Sequence, residues 1–238
     1  MDGYVINLAR RPDRLQAFRE DFEATSLNVE NFVAVDGRDL SLDDIKKPVN
    51  PWYIAHGKED LILGNAGCQF SHEAIWRQIA ELPDGLYIVL EDDARLIYPG
   101  AADRVKEAIA KAPQDADLVW LNDFDAAARI RFSSRLRGYV DRSSGRFRLG
   151  TNAKHALEAL WLRSRPVVYK RWPSVVYTTT ESYLIRPKYA KRLVEYTEKI
   201  VDSVDGQIKS AIDNMGGNIY VIYPRLFRQV DRSDSNIR

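Results

Sequence analysis

Residues 86–98, "LYIVLEDDARLIY", decide the architecture. The unbroken apolar run 86–90 reads as a strand buried on both faces, the kind found in parallel sheets. Glu91, Asp92 and Asp93 follow at once, and the chain then turns apolar again. Alternation along an extended chain sets Glu91 and Asp93 on one side and Asp92 on the other. Two carboxylates on one side of a strand exit form half of a site for a hard divalent cation, which takes oxygen ligands. The plain alternative is a solvated acidic loop.

Working outward, "YVINL" (4–8) is a short apolar strand, and "DRLQAFREDFEAT" carries Leu15, Phe18 and Phe22 at helical spacing. "NFVAVDGRDL" is a second strand closing on an Asp36-Gly37 turn. Residues 41–63 are polar, hold Pro48 and Pro51, and read as a surface excursion. "NAGCQFSHEAIWRQIAEL" is a helix with Cys68, Ser71, Ile75, Ile79 and Leu82 on one side and Gln69, His72 and Trp76 on another. A helix over 101–111, a strand "DLVWLND", an irregular stretch 124–172, a strand "SVVYTTTESYLI", two helices and a last strand "NIYVIYP" complete the chain. Strands alternating with helices predict an α/β sandwich with a mostly parallel central sheet flanked by helices.

The 238 residues, 45% hydrophobic and 29% charged, suit one soluble domain large enough to bury a full core without staples. A net charge of +1 names no class of partner. Cys68 is the only cysteine, so no internal disulfide and no cysteine-based zinc site is expected. The opening "MDGYVINLARR" reads as a strand and charged loop rather than a targeting leader. No apolar run approaches the ~18 residues of a membrane span. The expectation is a cytoplasmic protein whose membrane association, if any, is peripheral at the inner face.

Ligands in such sheets bind beyond the carboxyl ends of the strands, and three loops there are chemically loaded. "ARRPDR" sets Arg10, Arg11 and Arg14 around a helix start, which suits a phosphate; its bland reading is a solvated turn capped by Asp13. "VDGR" offers Asp36 and Gly37, with Asp36 able to bond a ribose or base edge, or serves as a bare turn. The third loop is the acidic exit. A cation beside clustered arginines meets the requirement of a diphosphate. No glycine-rich dinucleotide fingerprint and no Walker lysine motif is present.

"YVINLARRPDR", "FVAVDGR", "LGNAGCQFSHEAIW", "IVLEDDARL", "TESYLIRPKYAKRLV", "VDGQI" and "IYPRLFRQ", in that order, resemble glycosyltransferase family 25, the lipooligosaccharide and procollagen galactosyltransferases. The resemblance runs over roughly 4–229. It implies one GT-A-like domain over 1–238, a UDP-sugar donor, and a divalent metal, manganese first and magnesium second. It also implies transfer with inversion to a hydroxyl of a glycan or glycoconjugate, with galactose ahead of glucose, in lipopolysaccharide or cell-surface polysaccharide synthesis. On this resemblance Asp93 is the first metal ligand, with Glu91 beside it and Asp92 on the metal or ribose. Asn7, Leu8 and the arginines after them hold the uridine diphosphate, and Ser71 and His72 face the donor. Alone, a helical histidine is more often structural, and Cys68 reads as core packing. Glu181 and Ser182 stand where many members carry small residues.

Inversion needs a general base on the acceptor hydroxyl. Asp205 of "VDGQI" is the first candidate and Glu181 the second; the bland role of Asp205 is a helix cap. Residues 124–172 gather basic and aromatic side chains, and Arg135, Arg137 and Trp161 are read as an acceptor-side lip for an anionic glycan, against a solvated hairpin as the bland reading. The rivals are a two-carboxylate hydrolase, a catalytically inactive fold of this type, and a basic nucleic-acid-binding module. The last lacks any recognised motif, so no nucleic acid is expected as partner.

Overall fold

The computed structural model describes residues 2–23, 27–97, 101–122, 168–171, 179–223 and 225–229. β1 (Gly3–Asn7), α1 (Pro12–Phe22) and β2 (Val29–Val33) open the fold. α2 (Pro51–His56), the long α3 (Glu59–Ala80), β3 (Tyr87–Glu91) and β4 (Ala94–Leu96) follow. Next come α4 (Ala101–Lys111), β5 (Leu118–Trp120), β6 (Val168–Arg171) and β7 (Ser182–Ile185). α5 (Pro187–Thr197), α6 (Val204–Met215), β8 (Ile219–Tyr223) and β9 (Phe227–Gln229) close it.

The central sheet has seven strands in the order β2-β1-β3-β7-β5-β8-β6. β1, β2, β3, β5 and β8 run one way, and β6 and β7 run against them. The mostly parallel α/β sandwich is therefore present, with its centre split by the reversed β7. β4 and β9 form a separate antiparallel pair that ties the segment after the acids to the chain's far end.

Alternation along each strand feeds two cores. Tyr4, Ile6, Val89, Trp120, Tyr183 and Ile185 face the layer that holds Ile75, Trp76 and Ile79 of α3, Leu193 of α5 and Ile208 of α6. Val5, Ile88, Leu90, Val119 and Leu184 face the other, against Phe18 and Phe22 of α1 and Val105 of α4. A sheet buried on both faces explains why β3 reads as an unbroken apolar run.

Several local expectations are corrected. The 41–63 segment does run over the surface but is partly helical: Pro51 sits in the first turn of α2, where a missing N–H costs nothing, and the Asn50 side chain accepts from Trp52 N at 2.9 Å. α3 begins at Glu59, ahead of the predicted Asn65. Lys47 Nζ donates to both Glu73 oxygens at 2.7 Å, which ties the 41–63 segment to α3. Arg11, not Asp13, occupies the N-cap of α1, and Ser203, not Asp205, that of α6. Within the stretch expected to be irregular, residues 168–171 form a strand. Arg135, Arg137 and Trp161 lie outside the described residues.

Candidate active site

Because β1, β2 and β3 are parallel and in register, with Asn7 beside Val33 and Ile6 beside Glu91, their carboxyl ends share one sheet edge. The loops leaving that edge and one face of α3 (Asp60, Gly64, Cys68, His72) enclose a cleft of about 410 Å³. That volume lies within the roughly 300–1,000 Å³ of small-molecule sites. The loop after β2 is held tightly against α3. A Cβ on Gly67 would stand 2.7 Å from Val35 O and 2.8 Å from Gly37 N, so only glycine admits this approach. Ser71 pins the same junction, since its Oγ accepts from Val35 N at 2.9 Å and donates to Gly67 O at 2.7 Å.

All three acids line the cleft. β3 ends at Glu91, so the chain is already turning at Asp92 and alternation no longer applies. Asp92 therefore does not point away. Its Oδ1 meets Arg14 Nη2 at 2.8 Å, and the same nitrogen lies 3.1 Å from Asp93 Oδ2. Asn7 Nδ2 donates to Asp92 Oδ2 at 2.6 Å, which places Asn7 behind the acids rather than on the cleft wall. Asp93 Oδ2 accepts from Gln229 Nε2 at 3.1 Å, while its Oδ1 is buried without a hydrogen-bond partner among the described residues. Burial and the neighbouring Glu91 charge raise the Asp93 carboxyl to about 6. Burial also raises Asp92, against the pull of Arg14.

Glu91 is held from two sides. Thr180 Oγ1 donates to its Oε1 at 2.6 Å, and His72 Nε2 faces the same oxygen at 3.5 Å. Burial works to raise the Glu91 carboxyl, yet the nearby His72 ring, donation by Thr180 and the Arg14 charge hold it below its ordinary value. β7 runs antiparallel to β3, so the residue before it arrives at the same edge: Glu91 N donates to Glu181 O at 3.0 Å. The Glu181 side chain is buried and accepts from Thr179, and desolvation lifts its carboxyl to about 8. At neutral pH Glu181 is therefore mostly protonated. It does not line the cleft.

The arginines already hold carboxylates. Arg10 pairs with Asp36, Arg11 with Asp13, and Arg14 with Asp92 and Asp93. Burial opposes ionisation of Asp36, but Arg10 and the Arg38 backbone N–H keep its carboxyl below the usual range. Leu8, Arg10, Arg14, Asp36, Gly37, Ser71, His72 and the three acids thus line one cleft, whereas Asn7, Arg11, Glu181 and Asp205 do not. Asp205 stands in the first turn of α6, near enough for its charge to act on Cys68 and Tyr53. Arg38 and Asp60 also line the cleft and were missed, although Arg38 lies inside the quoted "VDGR". Cys68 lines it too. Its sulfur, a His72 ring nitrogen and a Glu91 oxygen lie within 4.8 Å of one another, a grouping that a count of cysteines alone overlooks.

The strand exits of this α/β sheet thus gather acids and arginines around a cleft of small-molecule size. The chain matches the family described as "Glycosyltransferase family 25 (LPS biosynthesis protein)" over residues 1–211, and it belongs to that family. The fold is GT-A-like, as the resemblance implied. A "Glycosyltransferase 25 family member" of Drosophila pseudoobscura pseudoobscura is 30% identical over 198 residues, covering 74% of this chain and 31% of the relative. Mouse "Procollagen galactosyltransferase 2" is 28% identical over 124 residues, covering 50% of this chain and 20% of the relative. A cattle protein named "Probable inactive glycosyltransferase 25 family member 3" is 28% identical over 124 residues, covering 50% and 21%. The chain spans at most about a third of the length of these curated relatives. Among the described residues no helix is long and apolar enough to cross a membrane.

Proposed function

We propose that the chain is a metal-dependent inverting glycosyltransferase that moves a sugar, galactose before glucose, from a UDP-sugar to a hydroxyl of a glycan or glycoconjugate. The observation that carries this reading is Asp93 Oδ1, a buried carboxylate oxygen on the cleft wall with no hydrogen-bond partner among the described residues. Such an atom is costly unless something fills its coordination. A hard cation suits it, and Asp93 and Glu91 would hold manganese, or magnesium in its place. Bound there, the cation would supply positive charge against the diphosphate.

The chain's own groups do the rest. Arg10 and Arg38, at the rim, are placed to exchange carboxylate partners or solvent for phosphate oxygens. Asp36 and Gly37 line the cleft, and Asp36 would accept from a ribose hydroxyl. Asp205 takes the proton from the acceptor hydroxyl as general base. Glu181 is the second candidate, because a carboxyl with a pKa of about 8 is mostly protonated at neutral pH. An anionic acceptor, a basic lip at Arg135, Arg137 and Trp161, action in lipopolysaccharide synthesis and a place at the inner membrane face belong to the same reading.

The test is equilibrium binding of UDP with manganese and in chelator, followed by a screen of UDP-sugars for metal-dependent hydrolysis and transfer. Manganese-dependent UDP binding with turnover of one UDP-sugar is expected. Binding without turnover would favour the inactive reading that the cattle relative's name brings to mind. Salt-sensitive binding of random oligonucleotide without UDP binding would replace the transferase with a nucleic-acid module.

A further inference from the structure

Beneath the cleft, Trp76 Nε1 donates to the Tyr183 hydroxyl oxygen at 2.8 Å, and that oxygen lies 2.8 Å from His72 Nδ1. All three side chains are fully buried, so each proton in the chain of contacts must find an acceptor inside the protein. An indole N–H only donates, which makes the Tyr183 oxygen the acceptor from Trp76. The Tyr183 hydroxyl proton then has His72 Nδ1 as the acceptor within hydrogen-bond reach. A neutral imidazole carries one N–H, so with Nδ1 accepting, the proton sits on Nε2. Nε2 is the buried ring atom that makes no hydrogen bond among the described residues and faces Glu91 Oε1.

We propose that Tyr183, itself held by Trp76, locks His72 in the Nε2–H form, so that His72 serves the cleft as a fixed hydrogen-bond donor beside Glu91 and not as a metal ligand. Trp76 and Tyr183 are positioning residues on this view. His72 and Thr180 converge on the same Glu91 oxygen, Oε1, and leave Oε2 uncommitted to either. That fixes the carboxylate for whatever the cleft binds, a role that rests on the transferase reading above; the tautomer itself does not.

The grouping of Cys68, His72 and Glu91 invites the opposite assignment, a site for zinc or another thiophilic cation. Ligation at Nε2 needs the lone pair there and drives the ring proton to Nδ1. The Tyr183 oxygen would then face two donors, Trp76 Nε1–H and His72 Nδ1–H, and its own proton would have no acceptor. Burial also pushes the Cys68 thiol well above its ordinary pKa, which disfavours the thiolate a soft metal needs.

The decisive measurement is the ring nitrogen–proton correlation spectrum of the full ¹⁵N-labelled chain, without metal or nucleotide. Three histidines are present, and the His72 signals are assigned by their loss in His72→Gln. A single Nε2–H pattern for His72 is expected. An Nδ1–H pattern or a mixture of tautomers overturns the lock. Addition of Zn²⁺, a diamagnetic cation, should leave the Nε2–H pattern in place, and Co²⁺ is added only for the optical measurement. A thiolate-to-cobalt charge-transfer band that disappears in Cys68→Ser would establish the thiophilic site and overturn the proposal. The donor role is read separately by manganese-dependent UDP affinity. Gln carries an N–H close to the Nε2 position and Asn does not, so His72→Asn should weaken binding about tenfold more than His72→Gln. Equal weakening overturns the donor role. A wild-type chain that binds no UDP at all sinks the transferase reading instead and leaves the tautomer result to decide the lock.

Discussion

Arg14 Nη2 lies 2.8 Å from Asp92 Oδ1, with both side chains nearly withdrawn from water. Truncating one member of such a pair strands a buried charge, at a cost of about 3–5 kcal/mol. Arg14→Ala is expected to lower the stability measured by urea unfolding by about that amount. Adding Asp92→Asn to it should recover part of the loss, since the stranded carboxylate is then neutral. A loss below about 1 kcal/mol in the single variant would show that water reaches the pair.

Asp93 should behave in the opposite sense. Burial and Glu91 raise its carboxyl to about 6, so its charge is unfavourable in the fold at neutral pH. Asp93→Asn is expected to raise Tm in chelator at about pH 8 by roughly 3 °C or more, while abolishing manganese-dependent UDP binding. A lower Tm together with unchanged UDP binding would refute both halves.

Glu181 and Asp93 together set a pH slope. Their folded pKa values, about 8 and about 6, lie above the ordinary 4.5 and 3.8. Between those limits the native state holds protons that the unfolded state has released, so stability falls as pH rises. For Asp93 the fall runs from about pH 4 through 6, and for Glu181 from about pH 4.5 through 8. Urea midpoints in chelator should therefore decline from about pH 5 to about pH 8. Glu181→Gln should flatten the portion above pH 6. A midpoint that climbs over this range would mean that the two carboxyls are not desolvated as the geometry requires.

Asp205→Asn separates chemistry from capping. Ser203 holds the N-cap of α6, so the substitution leaves the helix start intact. Turnover should fall by about 100-fold or more with UDP affinity preserved, the scale of a lost general base. Near-normal turnover would remove Asp205 from the mechanism.

Gly67→Ala should disturb the cleft by sterics alone. The added methyl meets backbone atoms of Val35 and Gly37, which cannot swing aside as a side-chain end can. An expected destabilisation of about 1–3 kcal/mol, with weaker nucleotide binding, follows from overpacking. Wild-type values for both would show that the loop after β2 is free to shift.

Much of the sheet was legible because its signals are local. Val5, Val89 and Leu184 each sit in a short apolar run, and burial on both faces needs nothing more than such runs separated by helical periodicity. That "EDD" would line a cleft was legible for the same reason, since three charges at a buried strand's exit need no partner to be conspicuous. β4 and β9 escaped notice because each is only three residues long and exists by pairing with the other, from Ala94 opposite Gln229 to Leu96 opposite Phe227. α2 escaped because Pro48 and Pro51 look like loop residues until Asn50 is seen to cap the turn that follows.

The sequence by itself determined which groups could do chemistry and which face of each strand would be buried, since side-chain type and the periods of strand and helix are properties of the local chain. What it could not supply is who meets whom. Arg14 reads as a phosphate ligand in "ARRPDR", yet in three dimensions it neutralises Asp92 and Asp93, which lie more than seventy positions away. His72 reads as a lone histidine, and only its contact with Tyr183, 111 positions on, decides where its proton lies. Hydrogen-bond direction, desolvation and charge pairing act through space at a few ångströms, so the tertiary structure alone brought a list of polar residues together around one cleft.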